Sequence, residues 1–359
     1  MKCAAAAAAI LAVGAITGRY IWTSPTASSC AASLRAAAET RGLLIGAALS
    51  PEGLRYWGSA DTLAREFNFL TTENAMKWYA VHPAPQQWDF HAADTIVEFA
   101  SEHQMKVKGH NIIWTDERTP EWVKAERTSE EFRQMLQKHI QTLVGRYKGK
   151  VYAWDVVNEA VDTREANGLR KTVFLKRLGE GYIAEAFHMV HEADPDALLF
   201  YNDSDAESVD SSAYRKTRSD RVYELVKKLL SDGVPIHGVG LQMHLDAWDY
   251  PRPADVAANV RRLAQLGLKV NISEMDVRIT EKELPGTLAE RLEIQRRIYH
   301  DIIAACVKEK GFMAITFWGF TDAYSWIDER FGPDDPLLFD EYYKPKPAYW
   351  GVMDALLEE

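Results

Sequence analysis

From about residue 34 to 356, short runs of β-branched and aromatic residues alternate with longer stretches whose apolar positions recur every three or four residues. The short runs predict strands at Leu43–Leu49, Phe67–Thr71, Lys106–Ile113, Val151–Val157, Ala197–Tyr201, Ile236–Leu241, Leu268–Ile272 and Ala314–Trp318. The longer ones predict helices such as Ser129–Tyr147, Gly181–Ala193, Arg218–Leu230, Pro253–Gln265 and Leu288–Lys308. Eight strand–helix alternations over this length predict an α/β fold, a single (β/α)8 TIM barrel. Its reactive residues belong at the C-terminal ends of the strands. No low-complexity linker follows residue 40 and no appended module is visible, so 34–359 reads as one catalytic domain.

The polar residues that interrupt this pattern collect at those ends. Val151–Ala160 is apolar and β-branched through its middle and then stops on Asn158-Glu159. An acid at the end of a buried strand is costly unless hydrogen-bonded or solvated, and such positions are often functional. Leu268–Asp276 has the same grammar and delivers Glu274. Two carboxylates presented this way are what glycoside hydrolysis uses. Glu159 follows Trp154, Val156 and Val157, an apolar run that favours the neutral, proton-donating form of an acid. Asp276 lies two residues beyond Glu274, on the same side of a strand, with His244 one strand earlier. An Asp276–His244–Glu274 chain would keep Glu274 ionised and aimed. The bland alternative for either glutamate is a strand-end acid in a structural ion pair.

Composition narrows the partner. The formal net charge is −10, so a polyanion such as nucleic acid, which needs a basic face, is excluded as a natural ligand. A neutral sugar polymer is compatible with that charge. The chain has 11 Trp and 15 Tyr, rings that can stack on sugars, although most such residues serve packing. Glu185 and His188 stand at i, i+3, a spacing used in di-iron bundles, but only once and on an outer helix, where a salt bridge is the better reading. With no cysteine cluster and no phosphate-binding glycine loop after a strand, neither a metal nor any other cofactor is expected.

The N-terminus departs from the pattern. Lys2 precedes the small and apolar run Ala4–Ile16, then Arg19 and a Ser/Thr/Pro/Ala stretch to Ser33. That run has the size of a signal-peptide core and is short for a stable membrane span. Residues 1–33 therefore read as an export segment cleaved within 17–33, which places the protein outside the cytoplasm, extracellular or periplasmic. Cys30 is a candidate lipidated first residue of a lipoprotein, although Ala27-Ser28-Ser29 lacks the usual large aliphatic residue, and an uncleaved anchor is a further alternative. Cys3 leaves with the segment, and Cys306 lies in an apolar helical run and reads as a buried inert thiol.

Six stretches, in order, carry a resemblance. They are Glu73-Asn74-Ala75-Met76-Lys77-Trp78, Gly109-His110 with Trp114, Trp154-Asp155-Val156-Val157-Asn158-Glu159-Ala160, Gln242-Met243-His244-Leu245, Glu274-Met275-Asp276, and Phe317–Asp322 followed by Ser325-Trp326. Together with Leu337–Trp350 this set resembles glycoside hydrolase family 10, the retaining endo-1,4-β-xylanases, over essentially residues 40–355. The resemblance implies Glu159 as acid/base, Glu274 as nucleophile, and Asn158 on the 2-hydroxyl of the sugar at the point of cleavage. It implies Lys77 and His110 on that same sugar, and Glu73 and Asn74 on the next one toward the non-reducing end. Trp78, Trp114, Trp318 and Trp326 would wall this end, and Asn202 and Gln242 are counted with the substrate-binding residues. A monomer acting on xylan or xylo-oligosaccharide follows, with β-1,4-glucan the alternative substrate. A non-catalytic carbohydrate-binding barrel would lack one of the two carboxylates, and both are present.

Two departures bear on specificity. After Trp114 the family usually has His-Ser-Gln, and this chain has Thr115-Asp116-Glu117. After Asn202-Asp203 an aromatic residue and Asn are usual, and here stand Ser204 and Asp205. The chemistry is expected to be unchanged and the subsite affinities altered, toward short or decorated chains.

Overall fold

The computed structural model describes residues 33–56, 58–209 and 212–358. The expected export segment, with Cys3 and Cys30, lies outside the described residues apart from Ser33. The strands are β1 (Leu44–Ala48), β2 (Phe69–Thr71), β3 (Lys106–Ile113), β4 (Ala153–Asn158), β5 (Leu198–Asp203), β6 (Gly238–Leu241), β7 (His244–Asp246), β8 (Lys269–Arg278) and β9 (Phe312–Phe317). Neighbours run β6-β5-β4-β3-β2-β1-β9-β8, and β6 pairs with β8 to close the ring. The pairings are parallel throughout, so the strand C-termini share one mouth. This is the (β/α)8 barrel that the alternating pattern predicts.

Parallel strands covered outside by helices and filled inside by side chains have no wet face, hence their continuous apolar runs. In β4 every residue is buried. The covering helices carry their own start signals: Ser129–Arg146 opens with a reciprocal Thr128/Glu131 cap, and Leu288–Cys306 with Thr287/Glu290. Inside the barrel the packing is close. A Cβ at Gly109 would lie 2.2 Å from the Trp154 ring, so glycine lets that ring cross β3.

The observed strands differ from the expected ones mainly at the mouth. β7 is an extra short strand laid beside the end of β8, pairing His244 with Asp276. That added ladder carries β8 on to Arg278, so Glu274 lies inside a strand rather than at its end. Cys306 is fully buried, and burial pushes its thiol up. No helix among the described residues is long and apolar enough to cross a membrane.

Candidate active site

Glu159 and Glu274 meet at the mouth through a chain of amides. Asn202 Nδ2 donates to Glu274 Oε1 at 2.6 Å and to Asn158 Oδ1 at 2.8 Å. Gln242 Nε2 lies 3.3 Å from the same Asn158 oxygen and 3.0 Å from Glu159 Oε1. Neighbouring strands supply each link, since β4, β5, β6 and β8 are consecutive around the barrel. Turned over, the Asn158 amide would accept from Trp114 Nε1 at 3.0 Å and lose both amide donors. In that orientation it would also donate to Asn202 O at 3.3 Å, and the bonds from Asn202 to Glu274 and from Gln242 to Glu159 are the same either way.

The two acids sit in different surroundings. The Glu274 side chain is 6% exposed, with His244 Nε2 3.4 Å from Oε2. His244 Nδ1 lies 2.9 Å from Asp276 Oδ2, which also accepts from Trp326 Nε1 at 2.8 Å. The Asp276–His244–Glu274 chain expected from spacing is therefore in place. Burial alone would raise Glu274. The bond from His244, the charges of His110 and His244 and the bond from Asn202 outweigh it and hold the carboxyl down at about 2. His244 is pushed well above the ordinary histidine range, because Asp276 and Glu274 overcome its burial. Glu159, by contrast, is 17% exposed, and its oxygens meet Gln242 and, at 3.5 Å, Asn158 and Arg170. The apolar setting read from Trp154, Val156 and Val157 thus gives way to polar contacts at the carboxylate itself.

A second group lines the mouth beside Glu274. Lys77 Nζ donates to Asn74 Oδ1 at 2.9 Å and stands over the rings of Trp114 (4.5 Å) and Trp318 (5.5 Å). Burial lowers Lys77 to about 8, opposed by Glu274 and Glu73. Asn74 in turn donates to Glu73 Oε1 at 2.9 Å, and burial raises Glu73 against the pull of Lys77. His110 is buried with Nδ1 2.8 Å from Asp155 Oδ2, and its ring packs edge-on to Trp318. The other Asp155 oxygen pairs with Lys108 Nζ at 2.8 Å in the barrel interior. Asp155 lay within the Trp154–Ala160 stretch without a role of its own and Lys108 was not singled out, because nothing local shows that an acid and a base on adjacent strands face each other.

Three residues expected to contact substrate are buried. Trp78 is 4% exposed and stacked on His139 at 3.8 Å, with Trp122 edge-on, so it packs behind the mouth and offers no face to a sugar. Asn202 and Gln242 are 0% and 2% exposed, and their amide nitrogens are engaged in the bridge between the acids. Of the departures, Asp116 accepts from Val173 N at 2.8 Å and caps the helix Val173–Leu178, while Glu117 is exposed on the rim. Ser204 and Asp205 line a polar cavity after β4 and β5. Glu185 is held by Arg133 through both oxygens. Among the described residues no group of three potential metal ligands converges.

Comparison with known proteins meets this geometry. The model of glycosyl hydrolase family 10 matches residues 33–355. A β-1,4-xylanase from Dictyoglomus thermophilum is 41% identical over 319 residues, 86% of this chain and 87% of that protein. Endo-1,4-β-xylanase B from Thermotoga neapolitana is 37% identical, covering 91% of this chain and 92% of its own. Among solved structures, xylanase 10B from Thermotoga petrophila RKU-1 in complex with xylobiose superposes with a TM-score of 0.84 at 39% identity, over 91% of this chain and 98% of that one.

Proposed function

The chain belongs to glycosyl hydrolase family 10 and is a glycoside hydrolase, and from that premise we propose that it is an endo-1,4-β-xylanase working by double displacement. The observation that carries the reading is the amide bridge joining two acids of unlike surroundings across one sector of the mouth. In the first step the Glu274 carboxylate forms a bond to C1 of the sugar as the C1–O bond to the leaving unit breaks. Glu159 gives its proton to that leaving oxygen. In the second step Glu159 takes a proton from water, the water oxygen bonds to C1, and Glu274 leaves as a carboxylate. A nucleophile held ionised to about pH 2 by His244 and Asn202 needs no proton removed before it attacks.

Asn158 is assigned the 2-hydroxyl of the sugar being attacked, a contact that strengthens as the ring flattens. Lys77 and His110 take the remaining hydroxyls of that unit. Glu73 and Asn74 take the next, with Trp114, Trp318 and Trp326 as walls. Residues 1–33 are assigned to export, with cleavage within 17–33, and the mature catalytic barrel is assigned as a monomer. Support for xylan comes from the relatives named xylanases and from the xylobiose bound to one of them.

The test is digestion of xylan, cellulose and xylo-oligosaccharides, with the newly formed anomer followed by proton NMR. Internal cleavage of xylan with the β-anomer formed first is expected, and Glu274→Ala should abolish it. First appearance of the α-anomer would remove the double-displacement mechanism, and faster cleavage of cellulose would remove the substrate assignment.

A further inference from the structure

The loop that leaves β4 folds back on the acid. Val161 and Leu169 pair as an antiparallel bridge, Asp162 N donates to Gly168 O at 3.0 Å, and Arg170 N donates to Ala160 O at 2.7 Å. This turn delivers the Arg170 side chain to Glu159. Nε donates to the Glu159 backbone carbonyl at 2.9 Å, and Nη2 stands 3.5 Å from Glu159 Oε2.

Glu159 needs such a hold. Its φ is 57°, in the left-handed region that side chains with a Cβ adopt at a cost, and which persists only where neighbours enforce it. The Glu159 N–H is fixed by Asn202 O at 2.8 Å. Arg170 fixes the other half of the same residue and reaches its carboxylate as well. No other side chain in the loop does both.

The guanidinium also faces a polar cavity of about 340 Å³, walled by Asp162, Arg164, Arg170, Ser204, Asp205 and Arg218. Of the three guanidiniums in that wall, Arg164 is held by both oxygens of Asp162 and Arg218 by the buried Asp203. Arg170 alone of the three is turned toward a catalytic carboxylate. The cavity follows β4 and β5, whereas Lys77, Asn74 and Glu73 follow β2, so the cavity lies on the leaving-group side of Glu159.

We propose that Arg170 is the positioning residue for the acid Glu159, aiming its carboxyl at the leaving oxygen from the wall of the cavity that receives the leaving sugar. The inference rests on the assignment of Glu159 as acid. A residue that acts through the acid matters in proportion to how much its reaction needs a proton. Misplacing the acid should therefore cost little when the leaving group departs unaided and much when it does not.

The experiment measures kcat/KM, which reports cleavage of the glycosidic bond, on aryl β-xylobiosides of rising leaving-group basicity and on xylotriose. It compares the wild type with Glu159→Ala, Arg170→Met and Arg170→Lys. Arg170→Met is expected to lose on the order of 10²-fold on xylotriose and less than about 3-fold on the dinitrophenyl substrate. Arg170→Lys, which keeps the charge without the two-point grip, should fall between Arg170→Met and the wild type with the same trend. A uniform loss across the series in Arg170→Met, beside a graded loss in Glu159→Ala, would overturn the role of Arg170 while leaving the acid assignment standing. A uniform loss in Glu159→Ala overturns the acid assignment and this inference with it. Should the methionine variant not fold, a graded or uniform loss in Arg170→Lys decides in the same way.

Discussion

At position 240, inside the barrel, one methyl group would break the link between the acids. A Cβ on Gly240 would sit 2.1 Å from Asn202 Oδ1, and Asn202 cannot step aside freely. It is fully buried, bonded to Glu274 and Asn158 through Nδ2, and receives Ser273 Oγ at 2.6 Å. Gly240→Ala should therefore turn the nucleophile off its line. A displacement of about 1 Å at a reacting group costs roughly 10²-fold in rate, and overpacking a tight core costs about 1–3 kcal/mol. The expected result is a folded protein whose kcat on xylo-oligosaccharide falls about that far, checked by steady-state kinetics beside a thermal melt. Wild-type kcat in a folded variant would show that Asn202 does not hold Glu274. The same residues mark how far the sequence could be read. Glu159, Glu274, His244 and Asp276 were legible because acids and a histidine stand out where they follow apolar runs. Asn202 and Gln242 were legible as polar strand ends but not as bridges, since which neighbour an amide meets depends on the register of adjacent strands. Arg170 had no signal at all, because its approach to Glu159 comes from a loop with no periodicity.

Between elements, the helix Ser129–Arg146 meets the segment after β2 through stacked rings rather than aliphatic ridges. His139 stacks on Trp78 at 3.8 Å and His82 on Trp88 at 3.7 Å, and the two histidines face each other with Nδ1 atoms 3.3 Å apart. A sequence reading that sees Trp78 beside Lys77 assigns both to the sugar. The short helix Trp78–Val81 separates them, turning the ring back to the core while Lys77 stays at the mouth. Burial, reinforced by His82, pushes His139 well below the ordinary histidine range, and burial lowers His82 as well. A histidine that stays neutral when folded but takes a proton when unfolded makes stability fall as pH drops below the unfolded value of about 6.5. That fall continues until the depressed folded value is reached, at about 1.4 kcal/mol per pH unit for each such group. His139 Nε2 has no hydrogen-bond partner, so an apolar ring gives up only the Nδ1 contact with His82. His139→Phe should keep the stack and flatten the loss of Tm between pH 7 and pH 5. Parallel melting curves for variant and wild type over that range would place the acid sensitivity elsewhere.

At the scale of the whole molecule, the barrel was visible as alternation, but what closes its ends was not. The first described helix, Leu34–Thr40, is capped by Ser33 and buries Leu34, Ala37 and Ala38. Its Leu34 N–H donates to Glu66 Oε2 at 3.0 Å, and the hydroxyl of Tyr349, in the last helix Pro347–Leu357, donates to the same oxygen at 3.0 Å. Arg41 Nε reaches the carbonyl of Leu356. Contacts between residues 283 and 315 positions apart leave no local pattern, so no reading of periodicity could find this latch. It does set a boundary that can be tested. A chain beginning at Ser33 retains the cap, the helix and the Glu66 contact, and should match the full-length protein in Tm and in kcat on xylan. A chain beginning at Arg41 loses the burial of Leu34, about 2–3 kcal/mol. It also leaves a buried carboxylate short of a donor, about 1–3 kcal/mol more. For a domain of this size the sum lowers Tm by on the order of 10 °C. The mouth, at the far end of the strands from this latch, should keep its kcat at temperatures where the shortened chain is folded. A fall in kcat that parallels the fall in Tm would mean that the terminal helices shape the active site as well as closing the barrel.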